Sequence, residues 1–120
     1  MTVTICGSMS NLPEMLCVYE ELSLEGYLVY LPVVLGATRK ANIDEGLKEK
    51  LQQLHFKKIE ESDFIFVVNP KPRRYIGEGT KAEVKYAKDH LTPVKYLEDP
   101  GWELDLLESV WKRDKEESDG

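Results

Sequence analysis

The feature that most constrains the fold of this chain is an uninterrupted apolar run within residues 63–69, D-F-I-F-V-V-N. No polar residue interrupts the five positions between Asp63 and Asn69, so the run lacks the alternation of a strand with one face in water. Such a run is typical of a strand that is covered on both faces, as in a parallel sheet. We therefore expect helices on both sides of this strand.

The rest of the chain alternates between strands and helices around this segment. Strands are also predicted at residues 2–6, 27–31 and 92–97. Apolar residues at helical spacing predict helices at residues 11–26, 44–61, 80–90 and 99–112. Short connections between alternating elements favour parallel pairing. The predicted fold is α/β, a small doubly wound parallel sheet of four or five strands, flavodoxin-like or Rossmann-like, with helices on both faces.

A chain of 120 residues fits one domain, which we place at residues 1–112, followed by a charged tail at residues 113–120. The formal net charge of -6 argues against nucleic acids and membrane surfaces as partners, because both need a basic face. The apolar runs are far shorter than the roughly 18 residues of a membrane-spanning helix, and no secretory signal is visible. A cytoplasmic location is expected.

Neither the cysteines nor the histidines are spaced like metal ligands. Cys6 lies in an apolar run and Cys17 in a helical pattern, which favours two small buried hydrophobic residues in a reducing compartment. His55 lies among charged neighbours and His90 near a helix end, so we interpret both as surface or boundary residues. The sequence predicts no metal site and no cofactor.

In a doubly wound sheet the first strand usually lies beside the third, and ligands bind at the carboxyl ends of the strands where the winding direction reverses. The loop after the first strand contains Gly7, Ser8 and Met9. Glycine permits a close approach of ligand to backbone, and the N–H groups at a helix start favour anions. This loop is either a plain strand-to-helix turn or one wall of a binding site.

The loop after the third strand, N-P-K-P-R-R-Y-I-G-E-G-T, is more polar and more basic. Asn69 ends the strand, and Arg73 and Arg74 place positive charge close to the expected pocket. Arginine can pair with a phosphate through two parallel hydrogen bonds. The alternative is a solvated basic loop without a binding role.

Glu83 has two interpretations. Thr80 and Glu83 have the spacing of a capping box, in which the glutamate side chain binds a backbone N–H group at the helix start. In the other interpretation Glu83 is a carboxylate in the first helical turn, kept ionised by the helix dipole and directed at the point where the winding reverses. Such a group could attack the anomeric carbon of a sugar.

Three segments together resemble the nucleoside 2-deoxyribosyltransferase-like superfamily, which includes deoxynucleoside 5'-monophosphate N-glycosidases. They are I-C-G-S-M, D-F-I-F-V-V-N and G-E-G-T-K-A-E-V-K-Y-A, and the resemblance spans about residues 2–97. It implies that residues 1–112 form one domain of this type and that Glu83 is the nucleophile. Glu83 would attack C1' of a 2'-deoxyribonucleoside and expel the base, and water or a second base would resolve the glycosyl-enzyme.

The resemblance also implies a binding site, an assembly and one alternative. Members of the superfamily complete the pocket with a neighbouring subunit, so a homodimer or larger homo-oligomer is expected. Gly77 stands where the superfamily commonly has an aspartate, which favours the alternative of a non-catalytic nucleotide-binding or sensing module. The nucleoside or nucleotide would contact Gly7, Ser8, Met9, Asn69, Arg73, Arg74, Tyr75, Gly77, Gly79 and Thr80.

Overall fold

A computed structural model describes residues 1–33 and 44–97 of the chain. Four strands form one parallel sheet in the order β2-β1-β3-β4, so β1 lies beside β3 as predicted. The predicted last helix and the charged tail lie outside the described residues. The described elements are β1 (Thr2–Cys6), a short 3-10 turn (Met9–Asn11), α1 (Leu12–Leu24), β2 (Leu28–Tyr30), α2 (Glu45–Glu60), β3 (Phe64–Val67), α3 (Glu78–Asp89) and β4 (Val94–Tyr96).

Both faces of β3 are buried, which confirms the interpretation of its apolar run. Phe64 and Phe66 pack in one apolar cluster with residues of α1. Ile65 and Val67 belong to a second cluster, which includes residues of α2 and α3. Because side chains alternate along a strand, consecutive positions of β3 serve the two faces of the sheet. The structure is therefore α/β with helices on both faces, as the sequence predicts.

The same alternation along β1 positions a cysteine near the carboxyl edge of the sheet. Val3 and Ile5 contribute to the cluster on the α1 face. Cys6 contributes to the cluster on the α2 and α3 face, and Thr4 shares its direction, with its hydroxyl 2.6 Å from that of Ser62. Cys6 is thus the last residue of β1 and lies under α2 and α3.

The structure corrects the predicted start of α3. This helix begins at Glu78, because Gly77 takes the N-cap position in an extended conformation (φ -77°, ψ 174°). Glu78 then supplies an acidic side chain to the first turn, where the helix dipole favours negative charge. Thr80 is therefore the third helical residue and cannot be the N-cap. The capping-box interpretation of Thr80 and Glu83 is wrong.

Other local predictions have mixed outcomes. Asp44 caps α2 as predicted, since its Oδ1 accepts a hydrogen bond from the Leu47 backbone N–H at 2.7 Å. Asn11 occupies the N-cap position of α1, but its side chain makes no capping hydrogen bond. Cys17 is exposed on α1 instead of buried. The second strand is shorter than predicted, and no helix of the described part of the chain is long and apolar enough to cross a membrane.

Candidate active site

A cleft of about 410 Å³, here called the Glu83 cleft, lies at the carboxyl edge of the sheet. The loop after β1 forms one wall, the segment after β2 another, and α2 and α3 provide the rest. The cleft therefore occupies the place where ligands bind in doubly wound sheets. Seven of the predicted site residues line it: Gly7, Ser8, Met9, Gly77, Gly79, Thr80 and Glu83.

The loop after β1 packs tightly against the end of the β3 segment. A Cβ atom added at Gly7 would lie 3.1 Å from Sδ of Met15 and 3.2 Å from the backbone oxygen of Val68. The Met15 side chain could adjust, but the Val68 carbonyl belongs to the backbone and cannot move easily. Gly7 is therefore required by close packing at the wall of the cleft.

Glu83 lies in the second turn of α3, and its carboxyl group belongs to a buried polar cluster. Its Oε1 is 3.7 Å from Nε2 of His55, which comes from α2. The same nitrogen is 3.5 Å from Sγ of Cys6 at the end of β1. Three chemically reactive side chains from three different elements thus meet at one side of the Glu83 cleft.

Burial decides the protonation behaviour of Glu83. Desolvation raises the pKa of Glu83 to about 7, and a contact with the Cys6 thiol only partly opposes this shift. The helix dipole cannot keep the carboxylate ionised as expected, because its effect falls off beyond the first turn and Glu83 lies in the second. The expected low-pKa carboxylate is therefore a group that titrates near neutral pH.

His55 is buried, with 4% of its surface exposed, so its interpretation as a surface or boundary residue is wrong. Burial, and then the positive charge of Lys58, lowers the pKa of His55 to about 4. A weak interaction with the Ile5 backbone opposes this, although Nδ1 makes no hydrogen bond of standard geometry within the described residues. Burial and the neighbouring charge of Glu83 raise the pKa of the Cys6 thiol. Near neutral pH His55 is a neutral imidazole and Cys6 a thiol.

Some of the predicted site residues do not line the Glu83 cleft, and two of them line a second cleft, here called the Arg73 cleft. It measures about 420 Å³, and Arg73 and Tyr75 line it with residues at the start of α1. Asn69 is buried, and its backbone carbonyl accepts a hydrogen bond of 2.9 Å from Nη1 of Arg74. The loop after β3 turns back on itself through the Arg74 N–H bond to the Pro70 carbonyl. The Glu83 cleft thus excludes Asn69, Arg73, Arg74 and Tyr75 from its lining.

Residues of α2 that were not predicted as site residues form much of the Glu83 cleft. Lys48, Gln52 and His55 line it together with Leu51 and Lys58. Their spacing of three and four residues marks one face of a helix. The sequence shows this spacing, but the spacing does not reveal whether the face borders a cleft or lies in solvent.

A scan against models of known protein families finds no match for this chain, and a search of curated proteins finds none either. The resemblance to the nucleoside 2-deoxyribosyltransferase-like superfamily therefore stays a prediction from the quoted motifs. The fold class and the residues of the Glu83 cleft are established by the structure and not by these comparisons.

Proposed function

We propose that this protein cleaves or transfers the N-glycosidic bond of a (deoxy)nucleoside or nucleoside 5'-monophosphate, with Glu83 as the nucleophile. One observation supports this best: the Glu83 carboxyl group borders a cleft that also contains the Gly7, Ser8 and Met9 loop. The cleft volume of about 410 Å³ lies within the range of small-molecule sites. Glu83 also does not cap the helix, since α3 begins at Glu78.

The chemistry requires the ionised form of Glu83. The carboxylate would attack C1' while the C1'–N bond breaks, and the departing base would take the electron pair of that bond and a proton from solvent water. Water, or a second base, would then attack C1' and release the Glu83 carboxylate. Because the pKa of Glu83 is about 7, we expect base release to accelerate as the pH rises through 7.

A 5'-phosphate, where the substrate has one, would meet a cation of α2. Lys48 lines the Glu83 cleft, and its ammonium group is exposed and only 3.6 Å from Glu45 in a helical surface pair. Such surface pairs are weak, so Lys48 can turn toward a phosphate at little cost. Lys58 also lines the cleft but already donates a 2.7 Å hydrogen bond to the Leu31 carbonyl. Arg73 lines the other cleft.

The test is to incubate the full chain with a panel of nucleosides, 2'-deoxynucleosides and their 5'-monophosphates and to measure free base. We expect release from at least one of them, with an apparent pKa near 7 in the pH profile of kcat/KM. The Glu83→Gln variant keeps the size of the side chain and should lower the rate by roughly a hundredfold or more.

Glu78→Gln is the matched control, because Glu78 lies on the same helix but is highly exposed and pairs with Lys81. Its rate should equal that of the unaltered protein. Equal rates of release in Glu83→Gln and the unaltered chain would contradict the nucleophile assignment.

An alternative function, nucleotide binding without turnover, is favoured by one observation. Gly77 has no side chain where the superfamily commonly has an aspartate, so the Glu83 cleft lacks that acid. Equilibrium binding is measured with the same panel of nucleosides and nucleotides. A nucleotide that binds while no compound of the panel releases its base would establish the alternative and contradict the glycosidic reaction.

Assembly and location belong to the same proposal. The resemblance implies a homodimer or larger homo-oligomer, with a neighbouring subunit completing the pocket, and the composition of the chain favours a cytoplasmic location. Light scattering of the full chain measures its mass, and a monomeric mass under assay conditions that support base release would contradict the shared pocket.

A further inference from the structure

The buried polar cluster of Cys6, His55 and Glu83 contains the three kinds of donor that zinc prefers in proteins, namely sulfur, imidazole nitrogen and carboxylate oxygen. One donor atom of each residue lies within 4.8 Å of the other two. All three side chains are buried, so their positions are fixed by the packing of β1, α2 and α3. The cluster shares Glu83 with the proposed reaction, but Cys6 and His55 have no role in that reaction.

The two distances from Nε2 of His55 to the other donors are close to those around a tetrahedral ion. Bond lengths of about 2.3 Å to sulfur and about 2.0 Å to nitrogen place such donors about 3.5 Å apart, and nitrogen and oxygen donors about 3.3 Å apart. Sγ of Cys6 lies 3.5 Å from Nε2 of His55. Nε2 of His55 lies 3.7 Å from Oε1 of Glu83, which a small side-chain movement reduces to the required spacing.

Charge balance also favours a divalent cation in this cluster. A thiolate from Cys6 and a carboxylate from Glu83 carry two negative charges, which are costly to bury without compensation. A Zn²⁺ ion cancels both charges, and a histidine binds metal as a neutral imidazole, so His55 adds a donor without adding charge. The fourth position of a tetrahedral ion would face the Glu83 cleft, because His55 and Glu83 both line that cleft.

We propose that Cys6, His55 and Glu83 form a Zn²⁺ site with three protein ligands and a fourth position open to the Glu83 cleft. Three protein donors and one exchangeable position are the arrangement of reactive zinc sites, whereas structural sites have four protein donors. A zinc-bound Glu83 oxygen cannot at the same time attack a sugar carbon. Coordination also withdraws charge from the rest of the Glu83 carboxylate, so zinc occupancy should suppress the proposed nucleophilic reaction.

The test uses Co²⁺ as a spectroscopic probe on the full, metal-free chain under reducing conditions. We expect one equivalent to bind, with a thiolate-to-cobalt charge-transfer band and the intense visible bands of tetrahedral cobalt, and Zn²⁺ to abolish both. Cys6→Ser should remove the charge-transfer band. His55→Gln and Glu83→Gln should weaken Co²⁺ binding by at least the roughly 10- to 100-fold that losing a supporting group costs a metal site.

The chain offers two matched controls, Cys17→Ser and His90→Gln, because Cys17 and His90 are both exposed and belong to no described donor cluster. Both should bind Co²⁺ as the unaltered chain does. A folded wild-type chain, verified by circular dichroism, that shows no charge-transfer band overturns the site. So does an unchanged Co²⁺ affinity in Glu83→Gln, a variant that tests the site even if Cys6→Ser does not fold.

Cobalt binding is measured without a nucleoside, so it is separable from the proposed reaction. A chain that releases no base in its metal-free form but binds added Co²⁺ through Cys6 supports the zinc site and contradicts only the glycosidic function. A chain that releases base but shows no Co²⁺ spectrum supports only the glycosidic function.

Discussion

The Glu83 cleft and the Arg73 cleft have nearly the same size, about 410 and 420 Å³, but opposite chemistry. The reactive groups that line the Glu83 cleft, His55 and Glu83, come from α2 and α3 and are buried. Arg73 and Tyr75 come from the loop after β3 and are exposed. Volume does not distinguish these two sites. What distinguishes them is the support behind each side chain, because a rigid and buried group can be held in reactive geometry and a solvated one cannot.

The positions of the two clefts follow from the sheet. The Glu83 cleft opens where the ends of β1 and β2 meet α2 and α3. The loop after β3 instead passes toward the start of α1, where Ser10 and Asn11 line the Arg73 cleft. Basic residues in a loop next to a binding edge therefore need not face that edge.

The largest expected effect concerns the burial of Glu83. Its pKa is about 7 in the folded chain against a usual value of 4.5, so the folded chain keeps a proton that the unfolded chain loses. Stability conferred by this group is complete below pH 4.5 and falls as the pH rises to 7. Glu83→Gln should therefore be the more stable chain above pH 7, by about 3 kcal/mol at most.

Denaturant unfolding of both chains between pH 4 and 8 measures this difference. His55 changes stability in the opposite sense, since its lowered pKa of about 4 means that stability is lost as the pH falls below 6.5. His55 is present in both chains, and its contribution changes mainly below pH 6.5. A difference that stays constant with pH would show that Glu83 is not buried as described.

The second effect concerns the wall of the Glu83 cleft. Gly7→Ala should lower the free energy of unfolding by about 1–3 kcal/mol, because the added methyl group meets the Val68 carbonyl at 3.2 Å. Gly77→Ala is the comparison, since a Cβ there lies 3.6 Å from its nearest neighbour, the Tyr75 hydroxyl. Thermal unfolding that ranks Gly77→Ala as the more damaging change would contradict the tight packing of the first loop.

The third effect tests which cleft receives a phosphate. Lys48→Ala should raise KM for an active 5'-monophosphate by roughly tenfold, because hydrogen bonds to charged groups contribute about 1.5–3 kcal/mol. KM for the corresponding nucleoside should not change. Arg73→Ala should leave both values unchanged, since Arg73 lines the other cleft. The reverse result would place the phosphate in the Arg73 cleft.

The smallest effect concerns the start of α3. Gly77 occupies the N-cap in an extended conformation that aspartate also adopts, and glycine has no side chain that could make a capping bond. Aspartate is a better N-cap than glycine by a few tenths of a kcal/mol, so Gly77→Asp should raise Tm slightly. A lowered Tm would indicate that the Tyr75 side chain beside Gly77 blocks the new carboxylate.

The sequence was sufficient to predict what depends on strong local patterns. The apolar run of β3 predicted a doubly covered strand, and the element order predicted the parallel pairing of β1 with β3. Together these two predictions placed Gly7 and Glu83 near the same edge of the sheet, and in the structure both residues line one cleft. Such features follow from periodicity and chain order, which a sequence displays directly.

Other features depend on tertiary contacts that no local pattern specifies. His55 has charged neighbours in the sequence, yet it is buried because α2 turns that face toward Cys6 and α3. Thr80 and Glu83 match a capping pattern, but Gly77 and Glu78 begin the helix earlier. Arg73 comes soon after the carboxyl end of β3 in the sequence. In the structure it lines the Arg73 cleft and not the Glu83 cleft, because the loop turns between Pro70 and Arg74.

Cys6 is buried and Cys17 is exposed, so the rates at which the two thiols react can report local opening of the structure around Cys6. Cys17 is exposed, so a thiol-reactive reagent should modify it without delay. Cys6 has no exposed surface, and its raised pKa further suppresses the reactive thiolate. Modification of Cys6 therefore requires α2 or α3 to separate from the sheet, and its rate measures how often that wall of the cleft opens.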